Sequence, residues 1–195
     1  MTDLAATYSR VSIDLGAGDG RYVLHRAAEH PTELVLAIDA SHAAMRDASR
    51  RAAAPERKGG LPNARFIASG FEQLPAELAG FASLVTVHFP WGSLLHAASG
   101  GDRAGAAGIA RLVGPGGRLR LLLSAAERDA TAGGVADLDP SVVVAAYVDL
   151  GLEARACRPA SAEDLAAAHS TWARRLLASG RDRRTWLIEL AAPAP

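Results

Sequence analysis

The stretch "VSIDLGAGDGRYVLHRA" (residues 11–27) decides the fold. An apolar run carrying Asp14 leads into Gly16, Gly18 and Gly20, which alternate with Ala17 and Asp19. The short run over 11–15, apolar at Val11, Ile13 and Leu15, predicts a strand, and the segment from Arg21 to about Glu29 predicts a helix. Strand, glycine loop and helix in that order build a ligand crevice at the carboxyl end of an open parallel sheet. Glycine lets the backbone turn tightly and approach a ligand with no Cβ in the way. A nicotinamide dinucleotide loop wants G-x-G-x-x-G, with its third glycine where Arg21 stands. The spacing here is G-x-G-x-G, with an acid two positions before the first glycine.

Outward from this stretch the same alternation continues. Strands are predicted at 34–39, 64–69, 83–90, 118–124, 153–158 and 185–192, and helices at 41–54, 105–113, 142–150 and 161–168, with "GPGG" (114–117) read as a turn. Apolar strands separated by helices predict an α/β domain with a mostly parallel sheet covered on both faces. Two strands follow the last major helix, which predicts an antiparallel strand at the C-terminal side of the sheet. The 195 residues suit one domain, spanning 1–195, with no repeat or linker.

Formal net charge is zero, which argues against coating nucleic acid through many phosphate contacts but leaves room for a local basic patch. Lys58 is the only lysine among 21 basic residues, a bias of composition rather than a sign of RNA recognition. One cysteine, Cys157, rules out an internal disulfide framework and fits a reducing compartment. No run approaches membrane-spanning length and the N-terminus lacks a secretory leader, so a cytoplasmic protein is expected. His25, His30, His42, His88, His96 and His169 are scattered without metal-ligand spacing, and His88 reads as a core or edge residue of its strand.

The loop pattern resembles motif I of class I S-adenosylmethionine-dependent methyltransferases, Rossmann-like enzymes with a seven-stranded sheet. The resemblance implies that Asp39, ending the second strand, holds the ribose hydroxyls of S-adenosylmethionine, and that Glu72 in "SGFEQLP" approaches its adenine.

Two further segments bear on the substrate. Phe89, Pro90 and Trp91 close the fourth predicted strand, with Gly92 next, a turn-like setting in which a large ring tends to be exposed or stacked. Trp172 heads "TWARRLLASGRDRR", which carries Arg174, Arg175, Arg181, Arg183 and Arg184 against only Asp182. Charge for phosphate and a ring for the base suit single nucleotides. Arg50, Arg51, Arg57 and Lys58 are expected in a loop before the third strand, near the same end of the sheet.

Taken together, "DLGAGDGR", "KGGLPN", "PWGSLL" and "STWARRL…SGRDR" resemble the aminoglycoside-resistance 16S ribosomal RNA (adenine-N1) methyltransferases of the kanamycin–apramycin type, from about Val11 to Leu190. That resemblance implies methylation of N1 of a decoding-site adenine on the 30S subunit. Asp14, Asp39, Glu72, Ser93 and Ser170 would frame the cofactor, beside the loop glycines Gly16, Gly18 and Gly20. Trp91 and Trp172 would sandwich the flipped adenine, and Arg175, Arg181 and Arg183 would grip RNA, helped by Arg50, Arg51, Arg57 and Lys58. The chain differs from the family pattern in its short lead into the first strand, in a short segment at 125–139 poor in basic residues, and in an inserted Gly180. These bear on the RNA grip more than on methyl transfer. A monomer suits docking on a large RNA.

No histidine–carboxylate pair is evident in the sequence, and N1 of adenine needs none, because its in-plane lone pair is already free to attack. Two alternatives stay open at this point: a small-molecule methyltransferase on the same fold, and an inactive S-adenosylmethionine-binding protein associated with ribosomes.

Overall fold

The computed structural model describes residues 5, 7–124, 138–179 and 184–194. At its centre β1 (Arg10–Leu15) lies parallel between β2 (Glu33–Asp39) and β4 (Ala82–His88). β3 (Ala64–Ala68) extends the sheet beyond β2, and β5 (Val113–Ser124) lies parallel to β4 on the other side. β7 (Thr185–Ala191) then inserts antiparallel between β5 and β6 (Glu153–Pro159), giving the order β3-β2-β1-β4-β5-β7-β6. Both the predicted parallel sheet and its antiparallel C-terminal strand are present.

The apolar runs are apolar because both faces are covered. Leu34, Leu36 and Ile38 of β2 point into one core with Ile13, Val85 and Leu121, while Val35 and Ala37 point into another with Val23 and Met45. This alternation is the period of a strand. Helices α1 (Arg21–Glu29) and α2 (His42–Ala52) cover the second face. The first is covered by α3 (Gly92–Ala98), α4 (Arg103–Ala110) and α5 (Pro140–Val148). Helices α6 (Ala162–Ala167) and α7 (Thr171–Ser179) follow β6, and Ala168 and Ala173 pack on Leu122 and Leu187. Among the described residues no helix is long and apolar enough to cross a membrane.

Three sequence expectations are corrected. "GPGG" is not a turn between elements but an irregularity inside β5: Val113 pairs with Ala82 and Arg118 with Leu84, so extra residues bulge from the ladder. Arg50 and Arg51 occupy the last turn of α2, and Arg57 and Lys58 a 3-10 turn, not an open loop. Because α2 runs back from the carboxyl end of β2, this cluster enters β3 at its amino end, opposite the end where Trp91 follows β4. Helices α3 and α7 were not foreseen.

The chain returns from β6 towards the carboxyl end through a polar hub. Asp164 is buried and accepts from Arg120 Nη2 on β5 at 3.0 Å and from Arg158 Nη1 on β6 at 2.6 Å. It also accepts from the Ser161 amide at 2.8 Å, while Ser161 Oγ accepts from the Asp164 amide, which closes a capping box on α6. The Arg158 guanidinium holds the Asp164 carboxyl well below the usual carboxylate range. Asp164→Ala should destabilise the protein by about 1.5–3 kcal/mol, the range for hydrogen bonds to charged groups, measured by urea denaturation at neutral pH.

Candidate cofactor and target-base site

The chain steps outward from β1 to β2 and β3, then returns to β4 on the other side of β1. At this reversal the connections leave in opposite directions and open a crevice beyond the strand ends. The glycine loop forms one lip. Gly16 and Ala17 donate their amides to the Ile38 carbonyl at 2.8 and 3.1 Å, which fastens the loop over β2. Gly18 and Gly20 both have positive φ, at 54° and 68°, but for different reasons. A Cβ on Gly20 would lie 2.8 Å from Ala48 Cβ and Phe66 Cε1, so this glycine lets α1 pack against α2 and β3. A Cβ on Gly18 would meet nothing within 4 Å, because that face opens on the crevice. Asp39 is clamped by two backbone donors, the Gly18 amide at 2.8 Å and the Ser41 amide at 2.7 Å.

Two adjoining cavities share Gly16, Gly18 and Phe89. One, of ≈ 360 Å³, is lined by Asp39, Glu72, Trp91 and Ser93, and Ser93 Oγ donates to Glu72 Oε1 at 2.8 Å. The other, of ≈ 290 Å³, is lined by Asp14, Tyr22, His88, Ser170, Trp172 and Arg175. Each is near the lower end of the usual range for small-molecule sites, ~300 Å³, and together they form an elongated cleft. Segment 168–172 is tied to the glycine loop by Thr171 Oγ1, which donates to Asp19 Oδ2 at 2.5 Å. Ser170 Oγ accepts from the Ala173 amide at 3.0 Å and starts α7. Phe89 and His169 hold φ of 51° and 45°, a left-handed backbone that costs non-glycine residues energy. His169 stacks on His25 of α1, with ring centroids 3.4 Å apart.

The floor of the second cavity is a histidine–carboxylate pair, contrary to the expectation that none was present. His88 Nδ1 lies 3.8 Å from Asp14 Oδ1, and both side chains are buried. Asp14 also accepts from Thr86 Oγ1 at 2.7 Å, and the His88 ring stands edge-on to Tyr22 at 4.6 Å between centroids. Burial pushes the Asp14 carboxyl up to about 7, against the Thr86 hydrogen bond. Burial, with the Arg120 and Arg26 charges, pushes His88 down to about 3.

Of the residues singled out in sequence, the cleft thus gathers Asp14, Gly16, Gly18, Asp39, Glu72, Ser93, Ser170, Trp91, Trp172 and Arg175. Gly20 lies beneath it. Arg51 reaches only a neighbouring groove, which it shares with Asp19 and His169. Arg50, Arg57 and Lys58 are exposed away from the cleft. Arg181 and Arg183 lie outside the described residues, as do Gly180 and 125–137. Trp91 is 60 % exposed at the cleft mouth, while Trp172 is half-buried.

Residues 1–192 match the family described as NpmA: 16S rRNA (adenine(1408)-N(1))-methyltransferase. The chain belongs to that family. A 16S rRNA (adenine(1408)-N(1))-methyltransferase of Streptoalloteichus hindustanus is 36% identical over 187 residues, covering 92% of this chain and 86% of its own length. The crystal structure of the 16S rRNA methyltransferase KamB superposes with a TM-score of 0.87 at 29% identity, covering 100% of this chain and 92% of its own. A mutant of the corresponding enzyme from Catenulisporales acidiphilia, crystallised with the cosubstrate SAM, superposes with a TM-score of 0.84 at 30% identity, covering 100% and 90%. The protein is an S-adenosylmethionine-dependent RNA methyltransferase. The cleft suits that cofactor: an elongated cavity, an acid clamped at the end of β2, a glycine face with no Cβ, and a second acid at the far end.

Two outcomes follow for the methyltransferase. Gly18→Ala should cost about 1–2 kcal/mol of backbone strain and keep the fold, yet weaken S-adenosylmethionine binding about tenfold or more. Gly20→Ala should cost about 2–5 kcal/mol, since strain and overpacking add. Thermal unfolding and calorimetric titration separate the two. Asp14 is the second case. Its folded pKa is raised, so its contribution to stability is fully present below the unfolded value and is lost as pH rises through about 7. Asp14→Asn keeps the acceptor for Thr86 and should therefore gain on the wild type between about pH 4 and 7, by a few kcal/mol on the order of magnitude. Melting temperatures of the cofactor-free proteins across that range check it.

Proposed function

We propose that this methyltransferase acts as a monomer in the cytoplasm, on N1 of adenine 1408 of 16S ribosomal RNA within the assembled 30S subunit, and so confers aminoglycoside resistance. The observation that carries the reading is the placement of two tryptophans, one exposed and one half-buried, in adjoining cavities that share Phe89, with Arg175 beside Trp172. In this reading Asp39 holds the ribose hydroxyls, Glu72 and Ser93 flank the cofactor's adenine, and Asp14 and Ser170 hold its amino-acid end. Trp91 and Trp172 flank the target base. Arg175, Arg181 and Arg183 hold RNA phosphates, and Arg50, Arg51, Arg57 and Lys58 make a second, remote contact with the subunit.

S-adenosylmethionine supplies an electrophilic methyl group on a sulfonium. The protein's own task is positioning. N1 carries an in-plane lone pair and no proton, so no side chain has to remove one before attack. The adenine must leave its stack, at a cost of about a few kcal/mol. Stacking on an aromatic face recovers roughly 1–3 kcal/mol per base. The methylated ring is cationic, and an indole face attracts a cation, so the same two rings favour the charge that develops during transfer.

The test is methylation of purified 30S subunits followed by reverse-transcription mapping, since N1-methyladenine blocks the Watson–Crick edge and halts the polymerase. A new stop at position 1408 with intact subunits is expected. Trp91→Ala or Trp172→Ala should each lower transfer by about 5- to 150-fold, the equivalent of one stacked base, with cofactor affinity unchanged. Transfer to a small molecule with no stop in the RNA would refute the substrate assignment. Equal loss of cofactor binding and transfer would refute the sandwich.

A further inference from the structure

We infer that His88 is a positioning residue for the amino-acid end of S-adenosylmethionine, its buried Nδ1 serving as the second donor that keeps Asp14 ionised while the carboxylate holds the cofactor's α-ammonium. The inference rests on the assignment of the Asp14 cavity to that end of the cofactor.

The geometry singles out this nitrogen. Among the described residues Nδ1 is buried and finds no hydrogen-bond partner, though it sits 3.8 Å from a carboxylate oxygen and His88 lines the cavity. An unpaired buried donor or acceptor is costly, so its persistence at a cavity floor points to a use when the cavity is filled. Asp14 receives one side-chain donor from within the sheet, the Thr86 hydroxyl at 2.7 Å. A carboxylate has room for several more, and the imidazole is the neighbour placed to provide one.

The charged surroundings say which partner carries the proton. Asp39 and Asp19 raise the Asp14 carboxyl and Arg26 lowers it, while Arg120 and Arg26 disfavour a charge on His88. Tyr22 and Arg175 complete the wall. In the cofactor-free protein Asp14 therefore keeps its proton up to about pH 7, and His88 is neutral. A neutral carboxyl is a poor partner for an ammonium. When the cofactor binds, the Asp14 O–H proton goes to solvent, the carboxylate takes the ammonium, and neutral His88 donates its Nδ1–H to the same carboxylate. No covalent bond to His88 forms or breaks beyond its tautomeric N–H.

The experiment compares calorimetric binding of S-adenosylmethionine with that of 5′-deoxy-5′-methylthioadenosine, which keeps the adenosine half and lacks the amino acid. Measurements between about pH 5 and 7 keep the α-ammonium charged throughout. For the wild type, S-adenosylmethionine affinity should fall towards about tenfold per pH unit in acid, with proton release seen as a dependence on buffer ionisation heat. Methylthioadenosine affinity should stay flat. His88→Leu should weaken S-adenosylmethionine about tenfold at pH 7 and move the pH midpoint upward, leaving methylthioadenosine unchanged. His88→Asn, which keeps a donor, should restore part of the loss. Flat binding of S-adenosylmethionine by the wild type, or equal weakening of both ligands in His88→Leu, overturns the role of His88. Asp39→Ala serves as the control on the cleft and should weaken both ligands. If it affects neither, the cofactor assignment falls, and the role of His88 with it.

Discussion

The site is organised around a carboxylate that the sheet buries before any ligand arrives. Asp14 and Thr86 are register partners on β1 and β4, the two strands between which the chain reverses direction, and their 2.7 Å hydrogen bond closes the bottom of the crevice. Above them the backbone has to leave in two directions at once, over β2 through the glycine loop and away from β4 through Phe89-Pro90-Trp91. The cleft is the gap between those departures. A buried acid with only one side-chain donor from the sheet is a cost to the free protein, and such costs concentrate where ligand binding recovers them.

A second constraint brings the far end of the chain to the first loop. Thr171 is 152 residues from Asp19, yet its hydroxyl donates to that carboxylate. It gets there because β7 pairs antiparallel with β5 and β6, which puts the β6–β7 connection over the carboxyl end of β5. Asp164 then fixes the path by joining α6 to arginines on β5 and β6. The His25–His169 stack adds a contact from α1. The half of the cleft that holds Trp172 and Arg175 thus depends on tertiary contacts with elements far away in sequence, whereas Gly16, Gly18 and Asp39 are set by β1, β2 and their immediate loops.

That division explains what could be read from the residues alone. β1, its loop and α1 were legible because a short apolar-rich run, glycine spacing and helical period occur within seventeen consecutive residues. Asp39 followed from the strand that carries it. Helix α3 was not legible: it begins at Gly92 with no side chain capping it, just after a proline, and these features read as a turn. Helix α7 is masked in the sequence because its arginines continue into a charge run with Arg181, Arg183 and Arg184. The 50–58 cluster reads in sequence as a loop near the cleft, whereas α2 and a 3-10 turn carry the chain back to the other end of the sheet. The Asp14–His88 pair lay beyond local pattern altogether, since its members are joined only by the strand order. Once β4 is known to lie beside β1, however, residues at their carboxyl ends have to meet, and the polar ones among them are the first to inspect.

The chemistry of the target base separates the tasks of the side chains that line the cleft. N1 of adenine has no proton to give up, so its recognition needs shape, apolar faces and phosphate contacts rather than an acid or base. The titratable groups of the floor, Asp14 and His88, line the same cavity as Trp172, together with Ser170 and Tyr22. If they serve the cofactor's amino-acid end, acidity acts on the affinity for S-adenosylmethionine and leaves the methyl-transfer step at saturating cofactor largely untouched. An exocyclic amine as nucleophile would reverse that expectation, because a proton would then have to leave the reacting nitrogen. A pH-dependent KM for cofactor beside a pH-independent kcat would then follow from ring-nitrogen chemistry as much as from the fold.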